Sequence, residues 1–239
     1  MVYGVNLGSG DGWSHPGWQG LDTINGLFLD ENSILPFEDE QLSCAFSAHF
    51  FEHISNEVSE QLFREVFRIL KSGSSFRIIV PHVELMLEKY KNNDVNFFTQ
   101  TIGFSGRPEW KSQGVETSFT NIFLHWIANY DELDEERLVY RGPPKFLPTN
   151  DVRQKAELCD VGDFCDWVIN FIPEENNIQT QHINWWTFKK FKKLLKKAGF
   201  AKVVESSHMN SSISDVLTTQ KFDNWKDRSN FSLYVEATK

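Results

Sequence analysis

Polar and apolar positions alternate from Val5 to Leu7 as they do along a half-buried strand, and Gly8 and Gly10 then remove side chains where that strand must turn. A second short apolar run closes at Asp22. Cys44-Ala45-Phe46-Ser47-Ala48 reads as another strand. Beyond it Leu62, Phe63, Val66, Phe67 and Leu70 recur at helical spacing, and Gly73 stands where a helix C-cap glycine belongs. Phe76 to Val80 form a further apolar strand, stopped by Pro81. Between residues 92 and 182 the strand–helix alternation disappears. Phe119, Ile122, Phe123, Trp126, Ile127 and Tyr130 make one stripe of a helix capped by Thr117 or Ser118, and His125 falls off that stripe, towards solvent or a capping hydrogen bond. A loop with Pro143, Pro144 and Pro148 follows, then a helix burying Phe164, Cys165, Val168, Ile169 and Ile172 until Pro173 ends it. Near the carboxyl terminus Phe188, Phe191, Leu194, Leu195 and Ala198 oppose six lysines on a two-faced helix.

This order predicts a single α/β domain over residues 1–239, with residues 92–182 as a helical cap inserted over the carboxyl edge of the sheet. A chain of 239 residues can bury such a core, and 40% hydrophobic with 14% aromatic content is that of a globular protein. The formal charge of −9 argues against a general nucleic-acid binder, which must displace counterions from phosphates. Three cysteines, Cys44, Cys159 and Cys165, lack zinc-ligand spacing and suit a reducing cytoplasm. Neither a leader nor an apolar run long enough to cross a bilayer is expected.

The candidate chemistry begins at the glycine turn. Val5-Asn6-Leu7-Gly8-Ser9-Gly10 exposes bare main chain against which a ligand can lie, with Asn6 and Ser9 ordering the turn. Asp22, at the tip of the next strand, can accept two hydrogen bonds from a ribose diol, so the pair points to an adenosine-containing cofactor. A dinucleotide would require a third glycine where this chain has Trp13, and no G-K-[ST] follows for a nucleoside triphosphate. S-adenosylmethionine, which has no phosphate, needs only the open turn and the acid.

Gly17-Trp18 with Asp22, Asp30 with Leu35-Pro36-Phe37, Ser47 with His49, Glu52 and His53, and Arg68 with Leu70-Lys71 and Gly73 follow one another in order. This series resembles the class I S-adenosylmethionine-dependent methyltransferases of the type 11 branch. That branch shows a glycine turn, G-W-x-x-x-D, D-x-x-x-x-L-P-F, S-x-H-x-x-E-H and R-x-L-K-x-G in succession. Trp186-Thr187, Ala198-Gly199-Phe200, Phe222-Asp223 and the run Ser232 to Ala237 look like the last helix and strands of the same group. The resemblance covers roughly residues 1–90 and 182–239. It implies a Rossmann-like, seven-strand-type sheet, mostly parallel with the last strand antiparallel, and an enzyme that uses S-adenosylmethionine. It further implies a small-molecule acceptor, with a sugar or glycan precursor and O-methylation favoured, and adds Asp30 at the adenine edge and Ser47 and His49 at the methionine end. Rival readings are a non-catalytic partner subunit on the same fold and a nicotinamide-dependent reductase, which Trp13 disfavours.

Methyl transfer is an in-line displacement in which the leaving group is already activated, so the protein must chiefly align the reactants and exclude water. A base is needed only where the acceptor must lose a proton. His49 and His53, four residues apart and on one face if their segment is helical, are the first candidates, with His182 third and His82 next. No metal site is expected: the order of His49, Glu52 and His53 does not match H-E-x-x-H. The lysine face reads first as a solvated surface and second as a weak dock for an anionic membrane or acidic partner.

Overall fold

The computed structural model describes residues 2–22, 29–101, 118–134, 137–142, 144, 147–172, 181–218, 222 and 229–239. Thr117, Pro143, Pro173 and Asp223 lie outside them. The chain divides into two compact units, Met1–Val80 with Trp186–Lys239, and Pro81–Trp185.

The first unit is built on a sheet of six described strands in the order β2-β1-β3-β4-β8-β7. These are β1 (Gly4–Leu7), β2 (Trp18–Leu21), β3 (Leu42–Ala48), β4 (Leu70–Pro81), β7 (Lys202–Ser206) and β8 (Ser232–Thr238). The strands β2, β1, β3 and β4 are mutually parallel. Lys239, just past the end of β8, exchanges main-chain bonds with Gly73 and Ser74 early in β4, so β8 runs against β4, and β7 is antiparallel to β8. The chain goes from β1 outward to β2 and then back across β1 to β3, which places the switch point of the sheet at the carboxyl ends of β1 and β3.

Apolar alternation settles the faces. Val5, Leu7, Ala45, Ile78 and Val80 bury one face against α1 (Asn56–Ile69) and α7 (Phe188–Ala198). Ser55 caps α1 by accepting the Val58 N–H, Thr187 caps α7 by accepting the Lys190 N–H, and Gly199 (φ +116°) ends α7 in the left-handed conformation. Trp186 is stacked on Phe191 at 4.3 Å and donates its indole N–H to the Phe51 carbonyl at 2.9 Å. On the other face Trp18, Cys44, Phe46, Ile79 and Tyr234 pack with Ile213, Val216 and Phe222. Burial pushes the Cys44 thiol up to about 12, so it is an inert packing group.

Parallel neighbours are ordinarily joined by a crossover helix. Here residues 8–17 join β1 to β2 without one, and Trp13 and Trp18 close on Phe222 at 5.5 and 4.5 Å instead. Aromatic area replaces the missing helix over that part of the sheet.

Two sequence expectations are corrected in this unit. Gly73 is not a helix cap: α1 ends at Ile69, Leu70 is already extended, and Gly73 (φ +78°) lies where β4 bulges between the pairs Leu42–Leu70 and Cys44–Ser75. His49 and His53 do not share a helix face, because His49 precedes the three-residue 3-10 turn Phe51–His53.

The second unit holds α2 (Val83–Lys91), α3 (Val95–Thr101), α4 (Phe119–Ile127), α5 (Thr149–Leu158) and α6 (Val161–Ile169). It also contains an antiparallel hairpin, β5 (Tyr130–Asp134) with β6 (Arg137–Gly142), where only helices are expected. Ser118 is the residue that caps α4, accepting the Asn121 N–H. The aromatic stripe of α4 is this unit's own core: Tyr90 stacks on Phe123 at 4.3 Å, and Phe123 on Phe164 at 5.6 Å. Tyr130 opens β5 rather than extending that stripe. His125 is buried at 5% exposure, not solvent-facing, because α4 is covered on several sides and a single-stripe reading of it fails.

Candidate active site

The glycine turn leaves β1 at the switch point. Gly8 (φ +71°) donates its N–H to the Leu21 carbonyl at 2.8 Å, and a Cβ there would lie 2.5 Å from Phe50, so only glycine permits this contact. That contact seats the turn directly against the segment leaving β3. Gly10 (φ +72°) differs: among the described residues nothing lies within 4 Å of where its Cβ would be. No described side chain therefore covers the main chain at Gly10. Its N–H donates to Asp22 Oδ2 at 2.9 Å, which holds the acid beside the turn. The Ser9 hydroxyl donates to the Gly10 carbonyl at 3.3 Å and so orders the turn from within.

Asn6 and Ser47 occupy the penultimate positions of β1 and β3. Both are buried, at 4% and 0% exposure, yet Asn6 Oδ1 and Ser47 Oγ have no hydrogen-bond partner among the described residues. Buried polar atoms in native proteins are nearly always satisfied, so two exceptions at one switch point call for an explanation.

His49 follows β3 in the left-handed region (φ +51°), an uncommon state for a residue with a Cβ. Its N–H donates to the Ile79 carbonyl at 2.8 Å. The ring Nδ1 lies 3.0 Å from Glu52 Oε1, and Nε2 lies 3.4 Å from Ser232 Oγ at the start of β8. Glu52 is 2% exposed. His53 ends the 3-10 turn, half-buried, with its N–H on the Phe50 carbonyl.

Three further candidates make contacts of their own. Asp30 is exposed, and its carboxylate accepts from the Asn32 N–H at 2.8 Å and the Ser33 hydroxyl at 3.1 Å, closing its own turn. His182 belongs to the second unit, where Nδ1 lies 3.1 Å from the Trp126 carbonyl. A carbonyl can only accept, so Nδ1 carries the proton. His82 caps α2, its ring accepting the Leu85 N–H at 3.3 Å, which accounts for its place after Pro81.

Sequence reasoning overlooked Glu52 as a partner, Ser232 as a neighbour of His49, and Glu65 with Arg68 as a clamp. The i,i+3 spacing of His49 and Glu52 was a usable signal; Ser232, 183 residues away, left none.

Residues 6–78, which run from within β1 to within β4, match the family model described as "Methyltransferase domain". No curated protein matches the chain. Among solved structures, an S-adenosylmethionine-dependent methyltransferase from Mesorhizobium loti is 15% identical with a TM-score of 0.41, covering 100% of this chain and 91% of its own. A SAM-dependent methyltransferase from Archaeoglobus fulgidus is 12% identical (TM-score 0.40; coverage 100% and 86%). Phosphoethanolamine N-methyltransferase 2 of Haemonchus contortus, in complex with S-adenosyl-L-methionine, is 12% identical (TM-score 0.39; coverage 100% and 48%). The family match spans the glycine turn, Asp22 and the motifs up to β4, and leaves the second unit outside it.

Proposed function

We propose that this chain is a class I S-adenosylmethionine-dependent methyltransferase of the type 11 branch that acts on an oxygen of a small molecule, a hydroxyl of a sugar or glycan precursor being the favoured acceptor. The observation that carries this reading is the His49 ring held by Glu52 at the exit of β3. A hydroxyl must shed its proton as it attacks, whereas a neutral amine need not, and a fixed, half-buried imidazole is suited to take that proton. His53 and His182 are the further candidates for contact with the acceptor.

The cofactor supplies a methyl group on a sulfonium that leaves as a neutral thioether. The residues present suit it. Asp22 would accept from the ribose diol, and the main chain of the turn from Gly8 to Gly10, ordered by Ser9, would receive the adjoining portion. Asn6, Ser47 and His49 would meet the methionine end, which gives the two unsatisfied buried oxygens a role. Asp30 would offer its turn to the adenine edge. The second unit, outside the family match, would carry the choice of acceptor.

No described helix is long and apolar enough to cross a membrane. The exposed lysines of α7 support weak peripheral contact with an anionic surface, and three cysteines, none of them in a disulfide, support a cytoplasmic setting. Calorimetry with S-adenosylhomocysteine tests the cofactor site: Asp22→Ala should weaken binding by about 1–3 kcal/mol. Labelled S-adenosylmethionine offered with hydroxyl-bearing sugars and with amines tests the acceptor class, and label passing to amines alone would refute O-methylation.

A further inference from the structure

Glu52 is a buried carboxylate, 2% exposed, to which the methyl-transfer chemistry gives no direct task. Removing such a group from water is costly unless the protein supplies partners. The chain reaches this arrangement by an unusual route. After β3 the backbone takes φ +51° at His49, a conformation uncommon for a residue that carries a Cβ. The 3-10 turn Phe51–His53 then swings residue 52 back towards the ring. The turn is fixed from both sides, by the Trp186 indole N–H on the Phe51 carbonyl at 2.9 Å and by the Ile79 carbonyl on the His49 N–H at 2.8 Å. Backbone strain kept in place by so many contacts marks a functional position more often than an accident of folding.

Building on the reading of His49 as the base, we infer that Glu52 is its positioning residue: the carboxylate holds the imidazole as the Nδ1–H tautomer and turns the Nε2 lone pair towards the acceptor, with the Ser232 hydroxyl occupying Nε2 until the acceptor arrives. The chemistry follows from the inventory of donors. An ionised carboxylate only accepts, so the atom facing Glu52 Oε1 at 3.0 Å must carry the proton. Nε2 is then an acceptor, and the Ser232 hydroxyl, 3.4 Å away, donates to it. When the acceptor hydroxyl takes that place, its proton passes to Nε2. Its oxygen forms the bond to the methyl carbon, and the carbon–sulfur bond breaks with its electron pair on sulfur. The imidazolium so formed stands against the Glu52 carboxylate, which stabilises it as the charge appears. Neither Glu52 nor Ser232 gains or loses a proton overall.

Nitrogen-15 NMR of the His49 ring, at a pH where it is neutral and with no acceptor present, tests this directly. The wild-type ring should carry its proton on Nδ1, and should still do so in Ser232→Ala. Glu52→Leu should lose that preference, and Glu52→Gln, which keeps an acceptor oxygen, should retain most of it. Methyl transfer from labelled S-adenosylmethionine to the hydroxyl acceptor pool should fall tenfold or more in Glu52→Leu and recover in Glu52→Gln, with S-adenosylhomocysteine binding unchanged in both. A wild-type ring protonated on Nε2, or a folded Glu52→Leu protein with an unaltered tautomer, overturns the assignment of Glu52 even if methyl transfer is intact. If Glu52→Leu does not fold, the wild-type and Ser232→Ala spectra decide alone. An Nδ1–H ring in a protein that methylates only amines overturns instead the reading of His49 as base.

Discussion

At the scale of single residues, Gly8 and Gly10 share one backbone conformation and differ in what surrounds them. Alanine at Gly8 would meet both the strain of positive φ and the Phe50 ring at 2.5 Å, so Gly8→Ala should lower unfolding free energy by about 2–4 kcal/mol. Alanine at Gly10 would meet only the strain, about 1 kcal/mol, because no described residue stands within 4 Å of the added methyl group. Its methyl group would however project into the space assigned to the cofactor. Denaturant unfolding with calorimetry on both variants should therefore show Gly8→Ala defective in stability and Gly10→Ala mainly in S-adenosylhomocysteine binding. Equal binding by wild type and Gly10→Ala would place the cofactor elsewhere. Both glycines were legible in the sequence, but which one guards the fold and which one guards the ligand was not, since the answer depends on Phe50, 42 residues further along the chain.

At the scale of elements, the L-P-F and R-x-L-K-x-G motifs turn out to be two halves of one clamp. Arg68, near the end of α1, donates to the carbonyls of Phe37 at 2.8 Å and Leu35 at 3.1 Å and to the Glu65 carboxylate at 2.7 Å, while Glu65 accepts the Leu35 N–H at 2.8 Å. Burial would raise the Glu65 carboxyl, but the bonds from Arg68 and Leu35 outweigh it and hold the group below its ordinary value. A depressed carboxyl contributes stability above its unfolded value, near pH 4.3, and that contribution is lost as pH falls through the folded value. Stability of the wild type should consequently drop through this acid range, and Glu65→Gln, weaker at neutral pH, should drop less steeply there. Denaturant midpoints taken from pH 6 down to pH 3 measure it; parallel curves for the two proteins would show that Glu65 does not contribute. The motif residues could be read individually, yet their partnership spans 31 and 33 residues and had no local sign.

At the scale of the whole molecule, charge is unevenly distributed. A chain of net −9 places Lys189, Lys192, Lys193, Lys196 and Lys197 on the exposed side of α7, whose Phe191 and Leu195 are buried. Lys197 is paired with Glu60 at 2.6 Å, and Lys190 lies over the Trp186 ring at 4.4 Å, so part of the face is already committed. Each lysine near an anionic membrane contributes about 1 kcal/mol, which suffices for reversible contact when several act together. Co-sedimentation should be greater with phosphatidylserine-containing vesicles than with neutral ones, should weaken with salt, and should fall when Lys189, Lys192 and Lys193 are changed to Glu. Equal sedimentation with both vesicle types would leave α7 as an ordinary solvated face. The same scale shows how a buried cation closes the sheet: Arg77 in β4, fully buried, donates to the Asn210 and Ser207 carbonyls at 2.7 and 2.9 Å and lies 3.7 Å from Glu236 in β8.

The sequence by itself determined the order of the main elements in the first unit, the glycine turn with Asp22, and the class of cofactor proposed for it, because each rests on spacings of a few residues or on which residue types a turn admits. Tertiary structure alone decided that β1 reaches β2 without a helix, that α4 is covered on several sides, and that Glu52 and Ser232 meet one imidazole. Those outcomes depend on packing and hydrogen bonding between segments far apart in the chain, where neither periodicity nor propensity carries information.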